Sequence, residues 1–208
     1  MVTLIDYGIG NLRSLEKAFQ AIGAEVLRTD QPEDLLQARR LVLPGVGAFG
    51  ACMNELRRRG LITPIHEAVR RGIPLLGVCA GLQLLFEESE EHGRHEGLGL
   101  LPGRVVRFPD TTPDGQRLKV PHMGWNTITY EQPAPLLKGI PEGAYFYFVH
   151  SYHAVAANAD DVLATTTYGG ISFPAIVGRA HVFGVQFHPE KSQQHGLQIL
   201  KNFLDLSE

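Results

Sequence analysis

The run Ile73-Pro74-Leu75-Leu76-Gly77-Val78-Cys79-Ala80-Gly81-Leu82-Gln83-Leu84-Leu85-Phe86 constrains the fold of this chain more than any other. An apolar stretch as long as one buried strand stops at a cysteine. An amphipathic stretch begins at once, with Leu82, Leu85 and Phe86 at helical spacing. Cys79 therefore falls on a sharp strand-to-helix corner, flanked by Gly77 and Gly81. A tight corner strains the backbone at its tip, and side chains at the flanking positions would clash. This is the form of a nucleophile elbow, which holds a reactive side chain out from the end of a sheet. Taken alone, the corner fits a small buried cysteine equally well.

A second strand-end pattern breaks the tie. Val182-Phe183-Gly184-Val185-Gln186-Phe187 is another apolar strand, and it runs directly into His188-Pro189-Glu190. Residues two apart in extended chain point the same way, and proline stiffens the backbone between them. An imidazole placed so can take a thiol proton while the carboxylate orients the ring and selects its tautomer. Nucleophile, base and orienter thus come from two strand ends of one chain.

The first third alternates strand and helix. Val2 to Tyr7, Ala24 to Arg28 and Arg40 to Leu43 read as strands. Between them lie a helix with Leu12, Leu15, Phe19 and Ile22 on one face and a short helix from Pro32 to Ala38. Such alternation predicts a doubly wound α/β domain, a mostly parallel central sheet with helices on both faces. Gly8-Ile9-Gly10 lacks the rest of a dinucleotide fingerprint. The third strand ends in Pro44-Gly45-Val46-Gly47-Ala48, a glycine-rich loop on the same sheet edge as Cys79, where backbone N–H groups can meet a developing oxyanion. Helices are expected from about Ala51 to Arg59 and Pro64 to Arg71, with Arg57 to Arg59 and Arg70-Arg71 on solvated faces.

Glu87 to Glu96, containing His92 and His95, reads as a charged surface loop, since no third ligand completes a metal set. From Gly97 onward short strands and turns predict a mixed or antiparallel extension of the same sheet, closed by a helix with Leu197, Leu200, Phe203 and Leu204 inward. At 208 residues nothing demands a second domain, so one domain over 1–208 is expected. A net charge of −3 gives no electrostatic footprint for nucleic acid or an anionic membrane surface. Two cysteines make no disulfide framework, Cys52 reads as structural, and a reducing cytoplasm is the expected location.

Gly77-Val78-Cys79-Ala80-Gly81-Leu82-Gln83 and His188-Pro189-Glu190 resemble the nucleophile and base motifs of the class I (triad-type) glutamine amidotransferases, and the resemblance spans nearly the whole length. Further stretches are similar to those glutaminases that serve as subunits of imidazole glycerol phosphate synthases in histidine biosynthesis. These stretches are Asp6 to Ser14, Pro44 to Phe49, Pro121-His122-Met123-Gly124-Trp125-Asn126 and Tyr147 to Tyr152. Related glutaminases more often carry Pro-Gly-Gly where Val46 intervenes here.

The resemblance implies that Cys79 attacks glutamine, His188 moves the protons and Glu190 holds the imidazole. It also implies that backbone N–H groups at Val46, Gly47 and Ala80 form the oxyanion hole, and that Gln83, Ser151 and Tyr152 contact glutamine. It implies no cofactor and no metal. Ammonia would pass to a (β/α)8-barrel synthase subunit that makes imidazole glycerol phosphate and an aminoimidazole carboxamide ribonucleotide, in a heterodimer with Met123, Trp125 and Lys191 at the interface. For Trp125, core burial is nearly as good a reading. The alternatives are a glutaminase serving anthranilate, pyridoxal phosphate or GMP synthesis, a cysteine hydrolase of a related α/β fold, and a catalytically idle regulatory module. In α/β-hydrolases the acid precedes the histidine, whereas Glu190 follows His188.

Overall fold

The structure, a computed structural model, describes residues 1–206. Its first half alternates β1 (Val2–Ile5), α1 (Leu12–Ala21), β2 (Val26–Thr29), α2 (Pro32–Gln37), β3 (Leu41–Gly45), α3 (Phe49–Arg58), α4 (Ile62–Arg70), β4 (Leu75–Cys79) and α5 (Ala80–Leu84). The second half comprises β5 (Phe86–Ser89), β6 (His95–Glu96), β7 (Leu101–Arg107), β8 (His122–Thr127), β9 (Thr129–Tyr130), β10 (Tyr145–His150) and β11 (Tyr152–Ala156). It closes with β12 (Val162–Tyr168), β13 (Ile171–Arg179), β14 (Val182–Val185) and α6 (Gln193–Leu204).

The central sheet has eight strands in the order β2-β1-β3-β4-β14-β13-β12-β9. The strands β2 to β14 of that order run parallel, and β13, β12 and β9 continue the sheet antiparallel. Strands buried on both faces must be apolar at nearly every position, and β1, β3, β4 and β14 are buried throughout. Successive residues feed opposite layers. Val2, Leu4, Val42, Leu76 and Val78 pack with α1 and α6 (Leu15, Phe19, Ile199, Phe203), whereas Ile5, Leu41, Leu43 and Leu75 pack with α2 to α4 (Leu35, Leu56, Ile65). This is the doubly wound arrangement that the alternation predicts.

Three expectations need correction. The extension after Gly97 is not one sheet: β9, β12 and β13 join the central one next to β14, whereas β7 and β11 form a four-stranded sheet with β5 and β6, in the order β11-β7-β5-β6, and β8 and β10 form a two-stranded ribbon. The elbow helix is a single turn ending at Leu84, so Phe86 is not on its face. Leu85 gives its carbonyl to the N–H groups of Leu100 and Leu101, and Phe86 pairs with Leu101, so sheet pairing takes this segment from the helix. Residues 87–96 are correspondingly a hairpin, with Glu88 opposite Glu96, not a plain loop.

Smaller features agree with expectation. The arginines of α3 and α4 lie at the surface, Arg58 against Glu55 and Arg70 and Arg71 against Glu67 at helical spacing. On α6 the inward face is Ile199, Leu200 and Phe203, flanked by half-buried Leu197 and Leu204. Buried Asn202 on the same helix donates to the carbonyls of Leu136 (2.8 Å) and Lys138 (2.7 Å). Both cysteines are free. Among the described residues no helix is long and apolar enough to cross a membrane.

Candidate active site

The parallel strands β3, β4 and β14 end together, and their C-terminal edges build the site. Cys79, last residue of β4, has φ +54° and ψ −112°, a conformation that L-residues rarely adopt. It persists because the surroundings leave no alternative. A Cβ at Gly77 would lie 2.5 Å from the Gly81 carbonyl oxygen, and one at Gly81 would lie 1.9 Å from the Leu43 oxygen. A Cβ on Gly45 would meet the Gly81 nitrogen at 2.6 Å. Loop and elbow are therefore in backbone-to-backbone contact, and glycine at these positions sets their separation.

β14 lies beside β4, with Val185 opposite Val78, and carries Gln186 and His188 to the same edge. His188 is pinned at both ends of its peptide: its N–H donates to the Tyr147 carbonyl (2.9 Å), and its own carbonyl accepts from the Ser192 hydroxyl (2.6 Å). Its Nδ1–H donates to Glu190 Oε1 at 2.9 Å, which leaves Nε2 for the sulfur. Asn11 Nδ2, from the turn before α1, donates to that same carboxylate oxygen at 3.0 Å. The Glu190 side chain is fully buried, and its Oε2 has no partner. Burial would lower the pKa of His188, but hydrogen bonds to Cys79 and Glu190 and the charges of both outweigh it, raising it from 6.5 to about 10. The arrangement favours an imidazolium beside the sulfur.

The cavity next to Cys79 holds about 360 Å³. Of the residues that the resemblance implies for the oxyanion hole and the glutamine contacts, Gly47, Ala80, Gln83, Ser151 and Tyr152 line it. Val46 does not; it is 39 % exposed, and its carbonyl accepts from Cys52 Sγ at 3.6 Å. Beneath the same loop, Tyr7 donates from its hydroxyl to the Pro44 carbonyl at 2.7 Å. Gln83 spends both amide hydrogens internally, on the Tyr152 carbonyl (2.9 Å) and Gln186 Oε1 (3.1 Å), so the group it offers the cavity is Oε1.

Several residues of the site escaped the sequence reading. Buried Gln186 aims Nε2 at Cys79 Sγ from 3.9 Å. It stands two residues before His188, so strand alternation alone carried the signal. Glu91 and His92 reach the cavity wall on the β5–β6 hairpin. Glu91 Oε2 accepts from the Phe49 N–H at the start of α3 (2.7 Å). No local pattern marks these two, because a long-range pairing delivers them. His95 turns away and packs against Gly50. A larger depression of about 840 Å³, rimmed by Gln132, Asp160 and Arg179, shares no residue with this site.

Next to the cavity the β8–β10 ribbon presents an apolar face. Met123 is 61 % exposed, Trp125 47 % and Tyr145 58 %, so Trp125 is not a core residue. Trp125 packs edge-on against Tyr147 (centroids 5.9 Å apart), and Lys191 Nζ sits 5.8 Å above the same ring. The three residues expected at an interface thus form one exposed surface beside the catalytic edge.

A family model described as glutamine amidotransferase class-I matches residues 3–206. An imidazole glycerol phosphate synthase subunit HisH of Salinibacter ruber is 60 % identical, over 99 % of this chain and 94 % of that protein. One from Syntrophotalea carbinolica is 55 % identical, over 99 % and 100 %. Among solved structures, a glutamine amidotransferase superimposes with a TM-score of 0.75 at 21 % identity, over 98 % of this chain and 97 % of that one. PurLQS from Thermotoga maritima gives 0.73 at 19 %, with the same coverage. At such identities the structural likeness speaks for the fold.

Proposed function

The chain belongs to the class I glutamine amidotransferase family, and from that membership we propose that it is the glutaminase subunit of an imidazole glycerol phosphate synthase in histidine biosynthesis. The observation that carries the reading is the convergence of Cys79, on the cavity wall, with His188 and the buried Glu190 behind it. The similarity to the two HisH subunits supports the choice among glutaminases.

In this reading the proton of Cys79 passes to His188 Nε2, and the sulfur attacks the side-chain amide carbon of glutamine. The tetrahedral oxyanion that forms is met by backbone N–H groups of Ala80 and of the Val46-Gly47 segment; one such donor is worth roughly 10²–10³ in turnover. His188 then gives its proton to the amide nitrogen, ammonia departs, and a γ-glutamyl thioester remains. Water attacks the thioester as His188 takes its proton, releasing glutamate and restoring the thiol. Glu190, steadied by Asn11, keeps hydrogen on Nδ1 so that Nε2 faces the sulfur throughout. Gln83 Oε1 and the free oxygen of Glu91 supply acceptors for the substrate's N–H groups, with Ser151 and Tyr152 closing the wall.

Ammonia released into water is protonated and lost as a nucleophile, so the product needs a sheltered route. The apolar face of Met123, Trp125 and Tyr145, with Lys191, suits a docked (β/α)8-barrel synthase subunit that would convert its ribonucleotide substrate to imidazole glycerol phosphate and an aminoimidazole carboxamide ribonucleotide. We place the heterodimer in the cytoplasm and treat residues 1–208 as one amidotransferase domain. Cys79→Ala is the test. Glutamine-dependent synthesis by the complex should vanish while synthesis from added ammonium salt persists. Loss of both, or of neither, contradicts the division of labour.

A further inference from the structure

In the wall of the glutamine pocket, which His150 itself helps to line, and behind it lies a buried polar cluster that the reaction steps above do not use. His122 on β8 and His150 on β10 sit opposite each other in the ribbon register, 3 % and 7 % exposed. Aromatic rings enclose them: His122 is stacked between Phe148 (centroids 5.0 Å apart) and Tyr168 (4.3 Å). Buried imidazoles need partners for both nitrogens.

Here the partners fix a direction. Asn126 Oδ1 accepts from the Thr127 N–H at 2.8 Å, which orients its amide, and its Nδ2 donates to the Thr167 carbonyl (2.9 Å) and to His122 Nε2 (3.2 Å). Having accepted at Nε2, His122 carries its hydrogen on Nδ1, which points at His150 Nε2 from 3.0 Å. His150 in turn carries hydrogen on Nδ1 and donates to the Tyr152 carbonyl at 2.7 Å. That carbonyl also receives Gln83 Nε2–H, and Gln83 leads through Gln186 to Cys79. Burial keeps both rings neutral, pushing His122 down to about 4 and His150 down to about 3.

We propose that His122 and His150 are positioning residues for glutamine: an ordered imidazole chain, anchored at Asn126, that fixes the Tyr152 carbonyl and through it the amide of Gln83 at the pocket wall. The proposal rests on the glutaminase reading. The Tyr152 carbonyl holds one of the two Gln83 hydrogens and so helps determine which way Oε1 faces. Without the His150 donor, that carbonyl loses one of its two hydrogens and holds the amide of Gln83 less firmly. Strand β8 carries the chain on its inner face at His122 and Asn126 and the exposed Met123 and Trp125 on its outer face, so one strand supports both the pocket and the docking surface.

The test uses the complex with the synthase subunit and steady-state glutamine hydrolysis. If the unaltered complex does not hydrolyse glutamine, the glutaminase reading fails, whatever the role of the histidines. With an active complex, His150→Phe keeps the ring and removes the donor; the glutamine KM should rise about threefold to tenfold, as for one lost hydrogen bond, with kcat within about twofold. His150→Asn, whose amide nitrogen falls near the position of Nδ1, should restore most of the lost affinity. A KM that stays put while kcat falls, or an Asn variant as impaired as Phe, overturns the proposal. Nitrogen-detected NMR of the unaltered chain reads the cluster directly even if His150→Phe fails to fold. Slowly exchanging Nδ1–H protons on both rings support the chain, and an Nε2–H tautomer on either ring refutes it.

Discussion

Gly81→Ala probes the contact that holds the elbow against the glycine-rich loop. The new Cβ would lie 1.9 Å from the Leu43 carbonyl oxygen, whereas ordinary contact begins near 3.4 Å, so the two backbones would have to part by about 1.5 Å. Neither can yield cheaply. Leu43 is locked into β3 opposite Gly77 of β4, and Gly81 is held by the turn that Cys79 opens. Overpacking of this kind costs typically 1–3 kcal/mol, and two rigid backbone segments place the cost at about 3 kcal/mol. The functional penalty is larger. The displacement widens the gap between the Ala80 N–H and the Gly45–Gly47 loop, and a misplacement of about 1 Å in a reacting constellation costs roughly 10²-fold.

Denaturant unfolding measures the first effect, and the rate of Cys79 alkylation by a glutamine-mimicking chloroketone measures the second. Gly72→Ala is the control: its φ is +86° but no atom lies within 4 Å of the added carbon, so it should cost about 1–2 kcal/mol of backbone strain without slowing alkylation. A Gly81→Ala protein that matches the parent in both stability and alkylation rate would show that these glycines do not set the geometry.

Glu190→Gln should slow glutamine hydrolysis at least tenfold, because a charge-assisted hydrogen bond to the imidazolium becomes a neutral one. The pKa of His188 is raised on folding, so its contribution to stability is complete below about 6.5 and is lost as pH rises through about 10; in Glu190→Gln this dependence should become shallower while the contact with Cys79 keeps part of it, and a pH series of urea midpoints tracks it. Trp125→Asp, at a position 47 % exposed, should leave the melting temperature within a few degrees and weaken synthase binding by about thirtyfold or more in titration calorimetry.

The parts of the molecule legible in the sequence are those whose cause is local. The period of residues 2 to 43 announces a parallel sheet, and Gly77 and Gly81 announce the corner at Cys79, because one backbone conformation demands them. His188-Pro189-Glu190 was readable because extended chain aligns alternate side chains. Leu85 and Phe86 misled because their apolar spacing suits a helix, yet bonds to residues 100 and 101 end the helix at Leu84 and draw Phe86 into a strand. Glu91, Asn11 and the His122–His150 pair stayed hidden for the same reason: each reaches its place through partners far along the chain.

The order of the central sheet bears on how the enzyme comes into being. β14 lies between β4 and β13, and it alone brings His188 to Cys79. Asn11, from the opening turn, then clasps Glu190 across 179 positions. A nascent or half-folded polypeptide consequently exposes an ordinary cysteine with no base beside it. Chemical competence arrives in the same event that seals the sheet, so incomplete molecules waste no glutamine.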